Sequence, residues 1–200
     1  MNCDSAVPQR HIELLPGDQN SASHLQLARK VPAGSAIHLD ICTADVVLLA
    51  SKSDQIEVTL DLANPPATAT AADYVQNLSV SASETRLHLH LSKQVKGRVV
   101  IAVPAATPRL EVNLVHGDLS FQTDRIRGDR SINLVHGHLD VESNADAYAT
   151  MHVDTVMASF HDRRSGQESH GMTSREITGT GQGTIEINVV MGGVELKAWD

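Results

Sequence analysis

The sequence predicts an all-β chain, a repetitive β-solenoid-like (β-helix-like) stack of short strands with a repeat of about 20 residues. The first observation is an internal copy: Val112-Asn113-Leu114-Val115-His116-Gly117-Asp118-Leu119-Ser120-Phe121 returns twenty residues later as Ile132-Asn133-Leu134-Val135-His136-Gly137-His138-Leu139-Asp140-Val141. Weaker copies start at Met151 and Ile187 and end at Phe160 and Leu196, and a fixed period is the mark of stacked repeats. The second is period-two alternation, as in Leu87-His88-Leu89-His90-Leu91 and Ile56-Glu57-Val58-Thr59-Leu60, without an amphipathic helix of convincing length. The third is a core poor in rings: two Phe, two Tyr and one Trp leave Val, Ile, Leu and Ala to fill thin layers.

Parity explains one repeat. Val112 and Leu114 point to one side of a strand with Asn113 on the other, and Leu119 and Phe121 form a second such pair. Leu114 and Leu119 are an odd distance apart, so both reach one core only if the chain turns between them, at Val115-His116-Gly117-Asp118. Gly117, Gly137 and Gly192 share the same place in that corner, where lack of a Cβ permits positive φ. Ala44 and Val156 take the place in other copies. With rungs about 4.7 to 4.9 Å apart, Phe121, Val141, Phe160 and Leu196 form an inward column. Asn113, Asn133, His152 and Asn188 form an outward row suited to an amide ladder.

Along the chain, residues 1–30 read as a polar leader or loose N-terminal cap, and residues 31–200 as a single β-repeat domain. Ile37-His38-Leu39-Asp40-Ile41-Cys42-Thr43-Ala44-Asp45-Val46 is the first corner-bearing copy. Pro65 and Pro66 mark a loop, and the polar run from His161 to Gly171 is a candidate functional surface. The array has open ends, which invites self-association; Trp199, just beyond the last strand, is the natural cap.

A net charge of −8 with scattered basic residues argues against nucleic acid and anionic membranes. The longest clear apolar run, Val46-Val47-Leu48-Leu49-Ala50, is far short of a membrane span. Met1-Asn2-Cys3-Asp4-Ser5 shows neither a basic nor an apolar signal region, so the chain as it stands carries no export signal and is expected in the cytoplasm if complete. Cys3 and Cys42 can pair in an oxidising compartment or remain reduced thiols.

The strand Val99-Val100-Ile101-Ala102-Val103-Pro104, the repeated His-Gly-Asp-Leu corner, Gly179-Thr180-Gly181-Gln182-Gly183 before the final strand, and Gly193-Val194-Glu195-Leu196 together resemble the bacterial "putative adhesin" family, a domain of unknown function made of β-strand repeats. The resemblance covers roughly residues 30 to 200. It implies a β-solenoid-like array at the cell envelope or outside the cell, binding a protein or polysaccharide partner.

The eleven histidines are the unusual part of the composition. His116, Asp118, His136 and His138 would gather on one edge of stacked rungs, where imidazole and carboxylate can hold Zn²⁺, Cu²⁺ or Ni²⁺. The plainer reading is that exposed corners tolerate any polar residue and stacking merely repeats it. Arg127-Gly128-Asp129 spells an integrin-type tripeptide but reads first as a turn between Ile126 and Ile132. His116 with Asp118, or His152 with Asp154, is the best acid–base pair on offer. Neither is accompanied by a nucleophile or oxyanion motif, so the chain is expected not to be an enzyme. The expected function is a non-catalytic structural or interaction module, with no resident cofactor. The alternative is a metal-binding or carbohydrate-active protein working through the histidine-rich edge.

Overall fold

The structure, a computed structural model, describes residues 12–65, 67–91, 95–122 and 125–199; Cys3 and the start of the leader lie outside them. The strands are β1 (Gln19–Asn20), β2 (His24–Lys30), β3 (Ala36–Thr43), β4 (Asp45–Ser51), β5 (Gln55–Leu62), β6 (Val75–Val80), β7 (Glu84–Leu89), β8 (Gly97–Pro104), β9 (Arg109–His116), β10 (Leu119–Gln122), β11 (Asp129–Glu142), β12 (Thr150–Asp162), β13 (Gln167–Thr178) and β14 (Thr184–Lys197). Two short 3-10 turns, Ala71–Tyr74 and Ala145–Ala147, are the only helical segments among the described residues. The all-β expectation holds, and all fourteen strands belong to one large curled sheet.

The twenty-residue copy is a pairing. β9 and β10 lie parallel to the two halves of β11, with Val112 opposite Ile132 and Leu119 opposite Leu139. β3 and β4 pair in the same way with β9 and β10. β14 then runs parallel to β11 along its whole length, and β12 parallel to β14.

The spatial order departs from the chain order. β3 and β4 lie between β7/β8 and β9/β10, and β14 inserts between β11 and β12, so successive repeats do not wind as a simple coil. Nor are all the strands parallel, since β6 pairs antiparallel with β7, β5 with β8, β2 with β5 and β13 with β12. His24–Lys30, read from its polar surroundings as part of a leader or loose N-terminal cap, is one of these strands: alternation buries Leu25 and Leu27 while its backbone pairs with β5.

Parity governs the core. Leu114 and Leu134 are buried with Ile41, Leu89 and Val189 at the same level before the corner. Beyond it, Leu119, Leu139, Val46, Val99 and Val194 make the matching buried row. The expected column containing Phe160 needs correction: Phe160 pairs with Val194, and Asp162 stands opposite Leu196. β12 is displaced by two residues from the alignment that sequence similarity suggests. A two-residue slip leaves side-chain alternation unchanged, so the hydrophobic pattern alone cannot detect it.

Three polar residues that interrupt the buried rows, Arg130, Asp162 and Thr155, bring their partners with them. Arg130, level with Leu110 and Ile185, is 1% exposed and donates to the carbonyls of Ile126 and Ala147 at 2.7 and 2.8 Å. Asp162 accepts from Arg164 Nε at 2.9 Å, and Thr155 Oγ1 donates to the Gly171 carbonyl at 2.8 Å.

The corner itself depends on missing side chains. Gly117, Gly137 and Gly192 have φ of +130°, +150° and +127°. A Cβ on Gly137 would lie 1.8 Å from the Gly117 carbonyl oxygen, and one on Gly192 1.7 Å from that of Gly137. The column ends in alanines, Ala44 beside Gly117 and Ala158 opposite Gly192, so Ala158 and not Val156 occupies the corner of β12. Gly137→Ala is expected to cost on the order of 3 to 5 kcal/mol, through backbone strain and displacement of a neighbouring backbone. Thermal unfolding should show this as a fall in Tm of roughly 10 °C; a change of only a degree or two would refute the close-approach argument.

Candidate functional site

The outward residues of the first half of the sheet are tied strand to strand. Asn188 Nδ2 donates to Asn133 Oδ1, Asn133 Nδ2 to Asn113 Oδ1, and Asn113 Nδ2 to Asp40 Oδ1, each at 2.9 Å. The expected amide ladder therefore exists, but with Asp154, not His152, next to Asn188. His152 lies opposite Glu176, with Nδ1 3.8 Å from its carboxylate.

The histidine edge lies at the corner. His116 and His136 pair across β9 and β11, and their rings meet edge to face with centroids 5.6 Å apart at 71°. Asp118 Oδ1 accepts the backbone N–H of His138 at 2.8 Å. The His138 ring leans over Gly193, where a Cβ would come within 2.5 Å of its Cε1. A ring nitrogen of His138 and carboxylate oxygens of Asp140 and Glu195 lie within 4.8 Å of one another. The four residues singled out in sequence thus divide: two imidazoles touch, Asp118 bonds to backbone, and His138 joins two carboxylates that the repeat did not flag. The signal for those two is positional, since Asp140 and Glu195 occupy one level on neighbouring strands.

Cations already sit on those carboxylates. Lys197 Nζ lies 2.8 Å from Glu195 and 3.1 Å from Asp140, and Arg163 Nε also bonds Glu195. The Lys197 hydrogen bond above all, with Arg163 assisting against the opposing effect of burial, holds the Glu195 carboxyl down to about 2. His138, Glu195, Ser159, His161, Glu168 and Arg163 help to line a surface hollow of about 370 Å³. The polar run from His161 to Gly171 takes in the end of β12, the turn that follows and the start of β13.

Arg127-Gly128-Asp129 is the turn into β11, as its glycine suggests. Asp129 Oδ1 accepts from both the N–H and the hydroxyl of Thr184 at 3.0 Å. Trp199 does not cap the stack: β14 is flanked by β11 and β12, and the Trp199 N–H donates to Asn144 Oδ1 at 3.2 Å. The open edge at that end is β13, which among the described residues pairs with β12 alone.

Sequence reasoning missed a third cluster. The alternation at His88 and His90 suggests a wet strand face, yet His90 is 2% exposed. Both histidines converge on Cys42, which is disulfide-bonded. Burial lowers the tendency of His88 to protonate, partly offset by Asp40 and reinforced by His90. Nothing in the local sequence of Cys42, more than forty residues upstream, could announce this meeting.

No helix among the described residues is long and apolar enough to cross a membrane. No protein-family model matches the chain, and no curated protein does. The chain is similar to the crystal structure of a "putative cell adhesion protein" from Clostridium sporogenes, with 11% identity over 87% of this chain and 99% of that one, at a TM-score of 0.51. At this identity the likeness is one of fold.

Because the Glu195 carboxyl is depressed in the folded state, its contribution to stability is complete above the ordinary carboxylate range and is lost as pH falls from about 4.5 toward 2. Glu195→Gln should flatten that part of the pH–stability profile. An unchanged slope between those values would remove the Lys197–Glu195 contact from the account.

Proposed function

We propose that this chain is a non-catalytic, adhesin-like interaction module of the bacterial cell envelope, a β-solenoid-like scaffold whose surface binds a protein or polysaccharide partner. The observation that carries the reading is an apolar ridge on the outside of the corner. Val135, Val190 and Val156 fall at one level, bracketed by the paired rows Leu134–Val189–Thr155 and His136–Met191–Met157. All three valines are exposed, Met157 is 62% exposed, and Met172 on β13, facing the irregular register at Val156 and Met157, is 82% exposed. Single exposed aliphatics need no explanation, but a run across four neighbouring strands, rich in adaptable methionine, is the kind of patch that marks interaction surfaces. The backbone corner beneath it is closely nested through Gly137 and Gly192. The likeness to a protein named for cell adhesion supports the reading, as does the disulfide at Cys42, which suits an oxidising compartment.

The test is saturable binding of purified protein to bacterial cells, envelope polysaccharide and extracellular-matrix protein, compared with Met157→Asp and Val190→Asp. Binding should fall tenfold or more in these variants while Tm stays within a few degrees. Wild-type affinity in both variants, or no saturable binding to any of the three surfaces, would sink the reading.

A second reading rests on the His116–His136 contact and the convergence of His138 with Asp140 and Glu195: a metal-binding edge, using His116, Asp118, His136 and His138, for Zn²⁺, Cu²⁺ or Ni²⁺. Lys197 and Arg163 compete for the same carboxylates, which places this reading second. It expects stoichiometric metal in untagged protein and a metal-induced rise in Tm that disappears in His116→Ala/His136→Ala. A melt indifferent to all three ions counts against it.

A further inference from the structure

Parallel pairing of β3 with β7 sets Asp40 opposite His88 and Ile41 opposite Leu89, which brings Cys42 level with His90. The Cys42 sulfur and one ring nitrogen from each histidine lie within 4.8 Å of one another. Cys42 is fully buried, His90 nearly so, and His88 half-buried. The Nε2 atoms of His88 and His90 are both buried without a hydrogen-bond partner. The His90 backbone is satisfied, its N–H donating to the Tyr74 carbonyl at 2.9 Å, so the ring nitrogens are what remain to be explained. Buried polar atoms are nearly always paired, and a pair of orphaned imidazole nitrogens beside a sulfur indicates a missing partner that accepts lone pairs.

A metal ion is such a partner. Two imidazoles and one thiolate suit a borderline or soft ion, Zn²⁺ or Cu⁺, with three protein ligands and one position left open. The disulfide decides when the set is complete. While Cys42 is disulfide-bonded it offers no thiolate, and only two neutral imidazoles remain. We propose that Cys42, His88 and His90 form a redox-gated site for a Zn²⁺- or Cu⁺-class ion, closed by the Cys42 disulfide and opened by its reduction.

The chemistry balances with a dithiol as reductant. The dithiol supplies two electrons and two protons, the protein S–S bond breaks to two thiols, and the dithiol closes to a cyclic disulfide. Metal binding then forms the metal–sulfur bond as the Cys42 thiol releases its proton to solvent. The half-buried edge of His88 is the entry. This site is separate from the histidine edge at the corner and shares no residue with it.

The test uses the full chain, reduced with a dithiol, freed of it under anaerobic conditions and titrated with Co²⁺ as a spectroscopic stand-in for Zn²⁺. Reduced protein should bind one Co²⁺ with a thiolate-to-cobalt charge-transfer band that Zn²⁺ abolishes. Oxidised protein should bind at least tenfold more weakly and show no band. Cys3→Ser, which removes the chain's other cysteine, should show the band without any reductant. Cys42→Ala should lack it, His88→Ala should weaken binding tenfold or more, and His116→Ala/His136→Ala should leave it intact. No band in the reduced wild-type protein, equal binding by both redox forms, or a band that survives His88→Ala/His90→Ala would overturn the proposal. Cys3→Ser keeps all three proposed ligands, so it tests the gate even if a His90 variant fails to fold.

Discussion

The rest of the structure depends on how closely backbones approach at the corner. Strands in a sheet are held at a spacing set by their hydrogen bonds, and a chain that turns in step with its neighbours must nest one carbonyl inside the next. Gly117, Gly137 and Gly192 make that nesting possible, each leaving open, for want of a Cβ, the space taken by the preceding corner's carbonyl oxygen. Once the corner is in register, so is everything attached to it: the aliphatic rows on either side of the turn, the amide ladder, and the meeting of His116 with His136. Register at one column of glycines therefore propagates through both halves of the sheet.

The same constraint explains which parts of the fold were legible in the sequence. The repeat, the all-β class, the parity of Leu114 and Leu119 and the glycine corner could be read because each leaves a local mark. Chain order could not reveal spatial order, because hydrophobic patterning is identical whether β14 follows β12 or slips between β12 and β11. The two-residue displacement of Phe160 and His152 escaped for a related reason, since any even slip preserves the faces. His24–Lys30 was hidden by its polar surroundings, although the leucines within it alternate correctly.

The candidate sites were legible in proportion to how far they follow the repeat. His116 and His136 are twenty residues apart and meet, as repetition demands. Glu195 belongs to a copy whose place in the stack is set by insertion, Lys197 follows directly after it, and they reach His138 and Asp140 only because β14 pairs with β11. His88 and His90 lie outside the repeated decapeptides and meet Cys42, within the first copy, through the β3–β7 pairing across a long excursion of the chain. Their chemistry depends on burial, which alternation misjudged: His90 is 2% exposed although it alternates with Leu89 and Leu91 on a strand side that reads as wet.

The asparagine ladder has one further consequence. All three amides donate in the same direction, from Asn188 toward Asp40, so their dipoles add along the stack and end on a carboxylate. The row has a head and a tail: Asp40 receives the accumulated donor character, while Asn188, the first donor, stands opposite Asp154 in the register of the next strand. A homogeneous stack of asparagines could lengthen indefinitely by adding another copy, as amyloid ladders do. This one is polarised and has an acidic residue at the next position at each end, Asp40 and Asp154, so the amide row stops inside the sheet while backbone pairing continues through β7 and β13.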